Sequence, residues 1–220
     1  MKMTSKKIQV AIADDHTLLR KALARLISSF NEYAVLFEAD NGKEVKKNIT
    51  AHLIPDIVLL DVNMPDMDGY ETVKWLYENY PQVKVLALSM FSDEKTIIKM
   101  LRLGAKGYIL KNIEPDELKN ALDSVMKKDF YLSEYISGKI ISGLHKGAAD
   151  PEEKNIVFTD KEKEFLKLIC SDLTYKEIAA QMFVSMRTIE DYRNAMFEKL
   201  KVKTRVSLAM YAIKHGLIEN

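Results

Sequence analysis

Five polar residues, Asp14, Asp15, Asp61, Ser89 and Lys111, each follow directly on a short apolar run or on a residue that does. Three carboxylates, a hydroxyl and an ammonium are a set that could do chemistry if those runs lie side by side. Carboxylates packed together raise one another's pKa, and a hard divalent cation relieves the repulsion. Few carboxylates with waters and a phosphoryl oxygen suit Mg²⁺. An ionised Asp61 could then act as a nucleophile towards phosphorus and give an acyl phosphate. Mg²⁺ and Lys111 would neutralise charge on the phosphoryl oxygens, and Ser89 could hydrogen-bond one of them. His16, beside the acidic pair, reads as a helix-start residue, and Asp66 and Asp68 as turn or cap residues.

The elements that must position this set are legible in the pattern. Apolar, β-branched runs at 8–13, 33–37, 56–60, 83–88 and 107–110 read as strands. Leu18, Leu19, Ala22, Leu23, Leu26 and Ile27 recur at helical spacing, and 69–79, 93–103 and 115–127 read as further helices. This alternation predicts a five-stranded parallel sheet covered on both faces, with right-handed crossovers. Ligands of such sheets sit at the carboxyl ends of the strands, where the five residues fall.

After Phe158 the strand signals stop and four helical patterns remain, separated by short breaks. The expected division is a first domain over 1–130, a linker over 131–157 and a small helical domain over 158–220. Within the linker, Tyr135, Ile136, Ile140 and Leu144 could share one side of a short helix, and 143–154 holds glycines, a proline and mixed charges.

Composition narrows the function classes. The chain has 220 residues, of which 47% are hydrophobic and 30% charged, and disorder is excluded by that balance. A net charge of +1 means that any DNA-binding surface must be local. The one cysteine, Cys170, has apolar neighbours and reads as a structural thiol. No apolar run reaches the length of a membrane span. The basic start is not followed by the apolar stretch of a secretory signal, so the expected location is the cytoplasm.

Ala13-Asp14-Asp15-His16, Leu60-Asp61-Val62-Asn63-Met64-Pro65-Asp66-Met67-Asp68-Gly69, Ala87-Leu88-Ser89 and Gly104-Ala105-Lys106-Gly107-Tyr108-Ile109-Leu110-Lys111 together resemble the receiver domain of bacterial response regulators, from about Ile8 to Lys128. The resemblance implies a flavodoxin-like doubly wound fold. It also implies phosphorylation of Asp61 by a sensor histidine kinase, and Mg²⁺ held by Asp14 or Asp15, Asp61 and the backbone carbonyl of Asn63. Tyr108 would be an aromatic switch that turns inward into space vacated by Ser89. The chain would be a phosphoacceptor that assists its own phosphorylation and dephosphorylation rather than an enzyme. One departure is Asn112, where the family usually has proline after the lysine.

In the helical domain, Thr159 with Glu162 forms the pattern of a capping box. Ser185 is placed to cap a helix over 186–200 whose Ile189, Tyr192, Met196 and Leu200 face inward. Arg187, Thr188, Arg193 and Asn194 are left outward near its amino end, where arginine can read guanine and asparagine adenine in a major groove. Lys176-Glu177-Ile178-Ala179, Val184-Ser185, Arg187-Thr188-Ile189-Glu190, Lys199-Leu200-Lys201-Val202, Arg205 and Gly216-Leu217-Ile218 resemble the LuxR-type helix-turn-helix of the NarL/FixJ regulators. That resemblance implies double-stranded DNA as partner and phosphate contacts from Lys176 and Lys203. Departures are Asp172, Asp191 and Tyr192.

The last helix is apolar on two sides. Val206, Ala209, Met210 and Ile213 form one stripe, and Leu208, Tyr211 and Ala212 another. One side would serve the domain core and the other a second copy, giving a homodimer on DNA. The alternative is a phosphorelay or protein-interaction module whose helical domain binds protein. The outward face around Arg187 and Arg193 divides the two readings. An aspartyl-phosphate hydrolase lacks a candidate acid or base.

Overall fold

The computed structural model describes residues 6–146, 156, 158–214 and 217. Six parallel strands run in the order β2-β1-β3-β4-β5-β6. They are β1 (Ile8–Ala13), β2 (Tyr33–Ala39), β3 (Ile57–Asp61), β4 (Lys84–Ser89), β5 (Gly107–Leu110) and β6 (Tyr131–Leu132). Five were expected. The sixth is only two residues long, too short to show a period, and it pairs with Gly107 and Tyr108 at one edge, inside the segment expected as linker.

All five β3 residues are buried, as an unbroken apolar run in the middle of a parallel sheet requires. One face is covered by α1 (Thr17–Ser29) and α5 (Pro115–Lys128), through Leu23, Ile27, Leu118 and Leu122. The other is covered by α2 (Gly42–Asn48), α3 (Gly69–Asn79) and α4 (Glu94–Leu103), through Val45, Val73, Leu76, Ile97 and Leu101. The helix starts are set locally: the side chains of Asn41, Asp68 and Asp93 each accept a backbone N–H of the first turn. His16 stands at the N-cap of α1, as expected.

The linker helix forms as α6 (Glu134–Lys146), with Ile136 and Ile140 buried against the α3–α4 face. The glycine- and proline-bearing stretch that follows, and the Leu144 side chain, lie mostly outside the described residues. The helical domain consists of α7 (Asp160–Ile169), α8 (Tyr175–Gln181), α9 (Met186–Lys199) and α10 (Arg205–Lys214) around Phe165, Leu166, Ile178, Ile189, Met196 and Leu208. The capping box of Thr159 and Glu162 is present, and a second joins Thr174 and Glu177.

The two domains meet along α10. Leu208 and Ala212 belong to the helical core, whereas Val206 (2% exposed) and Met210 (6%) join the receiver cluster that contains Ile97 and Leu101. The Ser207 hydroxyl donates to the Leu101 carbonyl at 3.3 Å. Arg205 is buried and donates to the carbonyls of Ile169, Ser171, Leu173 and, across the boundary, Lys128. Burying a guanidinium is costly unless its N–H groups are matched, and four carbonyls match it here. Leu208, Tyr211 and Ala212 pack in or against the helical core as expected, but so does Ala209 of the other stripe, and that stripe's Val206 and Met210 are covered by the receiver.

Candidate phosphoacceptor site and nucleic-acid interface

The order of the strands reverses between β1 and β3, so the crevice at their carboxyl ends is where Asp14, Asp15 and Asp61 meet. Asp14 is fully buried and Asp61 is 2% exposed. Lys111 arrives from the end of β5 and places its Nζ 2.6 Å from Asp61 Oδ2 and 2.9 Å from Asp14 Oδ2. The Asn63 N–H donates to Asp61 Oδ1 at 3.3 Å. Burial pushes the Asp61 carboxyl above its ordinary value. Hydrogen bonding and charge from Lys111 pull it back, and Asp14 pushes it up again. Burial works against the Lys111 charge, but its hydrogen bonds to Asp61 and Asp14 outweigh this, and its pKa is raised.

Ligand atoms of Asp14, Asp15, His16 and Asp61 all lie within 4.8 Å of one another. The three carboxylates face one lysine, an excess of negative charge carried on hard oxygen donors, and the residues present therefore fit a divalent cation such as Mg²⁺. His16 Nδ1 lies 2.9 Å from Asp15 Oδ1 and 3.2 Å from Asp14 Oδ1, so the imidazole borders the group while its residue starts α1.

Two supporting residues were not singled out from sequence. Arg20, buried on α1, donates to the Asp14 backbone carbonyl and pairs with Asp40, which fixes the loop carrying the acidic pair. Its only signal was a charged residue inside an apolar helical pattern. Gly69 starts α3 hard against the phosphoacceptor strand: a Cβ there would stand 2.4 Å from the Asp61 carbonyl oxygen and 2.7 Å from Val62 Cα. Only glycine allows that approach.

Ser89 is buried and its Oγ accepts from the Phe91 N–H at 3.1 Å. Tyr108 is already inward, fully buried, with its hydroxyl donating to the Phe91 carbonyl at 2.7 Å and its phenol pushed by burial up to about 12. On the neighbouring loop residue, the Ser92 hydroxyl meets the Tyr135 hydroxyl of α6 at 3.0 Å.

In the helical domain, Ile189 and Met196 face inward and Tyr192 stacks on Phe165. Arg187 and Asn194 are exposed on α9, as is Lys176 on α8. Thr188 is drawn into the Ser185 cap, its N–H and hydroxyl 3.1 and 2.9 Å from the Ser185 oxygen. Arg193 is half-buried over the Tyr175 ring and donates to the Asn194 side-chain oxygen. Lys203 is half-buried against Tyr77 of α3. Cys170 donates to the Leu166 carbonyl, and burial pushes its thiol up to about 12, as suits a structural role. No helix among the described residues is long and apolar enough to cross a membrane.

The comparison with known proteins agrees with this anatomy. Residues 10–123 match the response regulator receiver domain, and residues 156–212 match the bacterial regulatory proteins of the luxR family. An uncharacterized transcriptional regulatory protein of Bacillus subtilis, YhcZ, is 34% identical over 96% of this chain and 97% of its own. The oxygen regulatory protein NreC of Staphylococcus aureus is 31% identical over 96% of this chain and all of its own. Among solved structures, the response regulator ChrA of a heme-sensing two-component system is 26% identical with a TM-score of 0.52, covering 96% of this chain and 99% of its own. A parallel sheet with an acidic crevice, joined to a helix-turn-helix, thus coincides with two family matches and full-length relatives, and the chain belongs to the NarL/FixJ response regulators, two-component transcription regulators with a receiver and a LuxR-type DNA-binding domain.

Proposed function

We propose that a sensor histidine kinase phosphorylates Asp61 and that this modification controls dimerisation and sequence-specific binding of double-stranded DNA. The observation that carries the reading is the placement of Lys111 Nζ, 2.6 Å from Asp61 and 2.9 Å from Asp14, at the carboxyl end of the sheet. A carboxylate oxygen of Asp61 bonds to phosphorus as the bond from phosphorus to the kinase histidine nitrogen breaks, and that nitrogen keeps the electron pair. Lys111 neutralises charge on the phosphoryl oxygens, and Ser89 donates to one of them. Mg²⁺ would be held by Asp14 or Asp15, Asp61 and the Asn63 carbonyl, and when bound it supplies further positive charge against those oxygens. The protein is a switch modified at one residue and not a turnover enzyme; it acts in the cytoplasm, where its DNA is.

Control at the dimer step is supported by the burial of Val206 and Met210 against the receiver, because these belong to the stripe suited to a second copy. The exposed residues of α9 are open, so the receiver covers the pairing helix rather than the reading helix. Phosphorylation adds charge beside Ser89, Ser89 meets Phe91, Phe91 meets Tyr108, and the same loop meets α6 through Ser92 and Tyr135. A shift of that loop would bias the α4–α6 surface on which α10 rests.

The test is selection of genomic DNA fragments by the full-length protein, with and without beryllofluoride and Mg²⁺. Enrichment of a sequence with two half-sites only with the mimic is the expected outcome. Equal enrichment in both states would detach the reader from Asp61. No enrichment in either state would favour a protein-binding helical domain.

A further inference from the structure

The outward centre of α9 is not the uniformly basic surface of a phosphate-binding helix. Opposite Ile189 and Met196 stand Arg187, Asp191, Asn194 and Glu198, recurring at four, three and four residues, and all are exposed. Thr188 is engaged by the Ser185 cap and Arg193 by Tyr175 and Asn194. The side chains of Arg187 and Asp191, although one turn apart on the same face, form no ion pair or hydrogen bond with each other or with any other described residue. The amino-terminal half of the helix therefore offers a free guanidinium and, next along the axis, a free carboxylate.

We infer that Asp191 determines base specificity by selecting cytosine at one position of each half-site, one to two base pairs from a guanine read by Arg187. The inference rests on the DNA-binding reading above and goes beyond it. A carboxylate near DNA is repelled by phosphate, so a favourable partner can only be a donor on the floor of the groove. In the major groove the donors are the amino groups of cytosine and adenine. Adenine sets an acceptor, N7, beside its amino group and repels a carboxylate there. Guanine and thymine present acceptors to it. Cytosine alone carries a donor with no acceptor on its own edge in the groove. Arg187 carries only donors and suits the two acceptors of guanine. Residues four apart on a helix lie about 6 Å from each other, which matches a spacing of one to two base-pair steps of about 3.4 Å.

The test is selection from randomised duplexes by the full-length protein with beryllofluoride and Mg²⁺, for the wild type, Asp191→Ala and Asp191→Asn. In the wild type, one position of each half-site is enriched in cytosine by about tenfold over the other bases. Asp191→Ala flattens that position alone and leaves the rest of the half-site in place. Asp191→Asn moves the preference there towards adenine. An unchanged base profile in Asp191→Ala, with affinity raised equally for all sequences, overturns the inference while leaving the DNA-binding reading intact. A wild type that enriches nothing overturns both. Thermal unfolding of the variants at the wild-type temperature excludes misfolding as the cause of a flattened profile.

Discussion

The ammonium of Lys203, in the turn before α10, lies 4.5 Å from the centre of the Tyr77 ring on α3. A residue of the DNA-binding domain is thereby held by the receiver, beside the buried pair Val206 and Met210. A cation over an aromatic face at a partly exposed site contributes about 0.5–1 kcal/mol. Tyr77→Ala should weaken the docked state and raise the DNA affinity of the unphosphorylated protein by about two- to fivefold. Gel-shift titration without a phosphoryl mimic measures this, and an affinity equal to wild type would show that the contact does not hold the domains together.

Lys111 bridges the two buried carboxylates Asp14 and Asp61. Lys111→Met keeps much of the side-chain bulk and removes the charge. Loss of one group that stabilises developing charge costs on the order of 10²-fold in rate. Phosphorylation from a small phosphodonor, followed by phosphate-affinity electrophoresis, should slow by about that factor. A rate within twofold of wild type would remove Lys111 from the chemistry.

Asp129 ends α5 with φ 65° and pairs with Lys106 at 2.8 Å and Lys84 at 3.1 Å. Burial raises its pKa, but the two lysines more than reverse this, so the folded value lies below the ordinary 3.8. A carboxyl with a lowered folded pKa adds stability above its unfolded pKa, and that contribution fades as pH falls from 3.8 towards the folded value. Asp129→Asn tolerates the left-handed backbone and removes only the charge. It should cost about 1.5–3 kcal/mol near neutral pH and progressively less as the medium is acidified below the carboxylate range. Denaturant melts at a series of pH values test it, and a difference independent of pH would assign the loss to something other than ionisation.

Much of the receiver site was legible because each of its polar residues stands at the end of a strand, and strands announce themselves by unbroken apolar runs. Asp61 closes β3 and Ser89 closes β4, and the topology of a parallel sheet brings such ends together. The elements that escaped were those without a usable period. α2 is seven residues long, largely polar, with Val45 as its one large apolar anchor, and β6 is two residues long. Arg20, Tyr77 and the buried, carbonyl-binding role of Arg205 escaped for another reason. Their partners lie far away in the chain or on another element, as Lys128 and Leu173 do for Arg205, and no local spacing encodes that.

The sequence by itself determined the sheet with its acidic edge, the capped helices and the two apolar stripes of α10, because strand period, helix period and cap chemistry are properties of neighbouring residues. Only the tertiary structure decided which stripe met what. Val206 and Met210 needed cover, and any apolar surface of the right shape would remove them from water equally well; burial is favourable without regard to the partner's identity. That the surface is the α4–α6 face of the same chain, with Ser207 on the Leu101 carbonyl and Lys203 on Tyr77 of α3, follows from the placement of two domains in space.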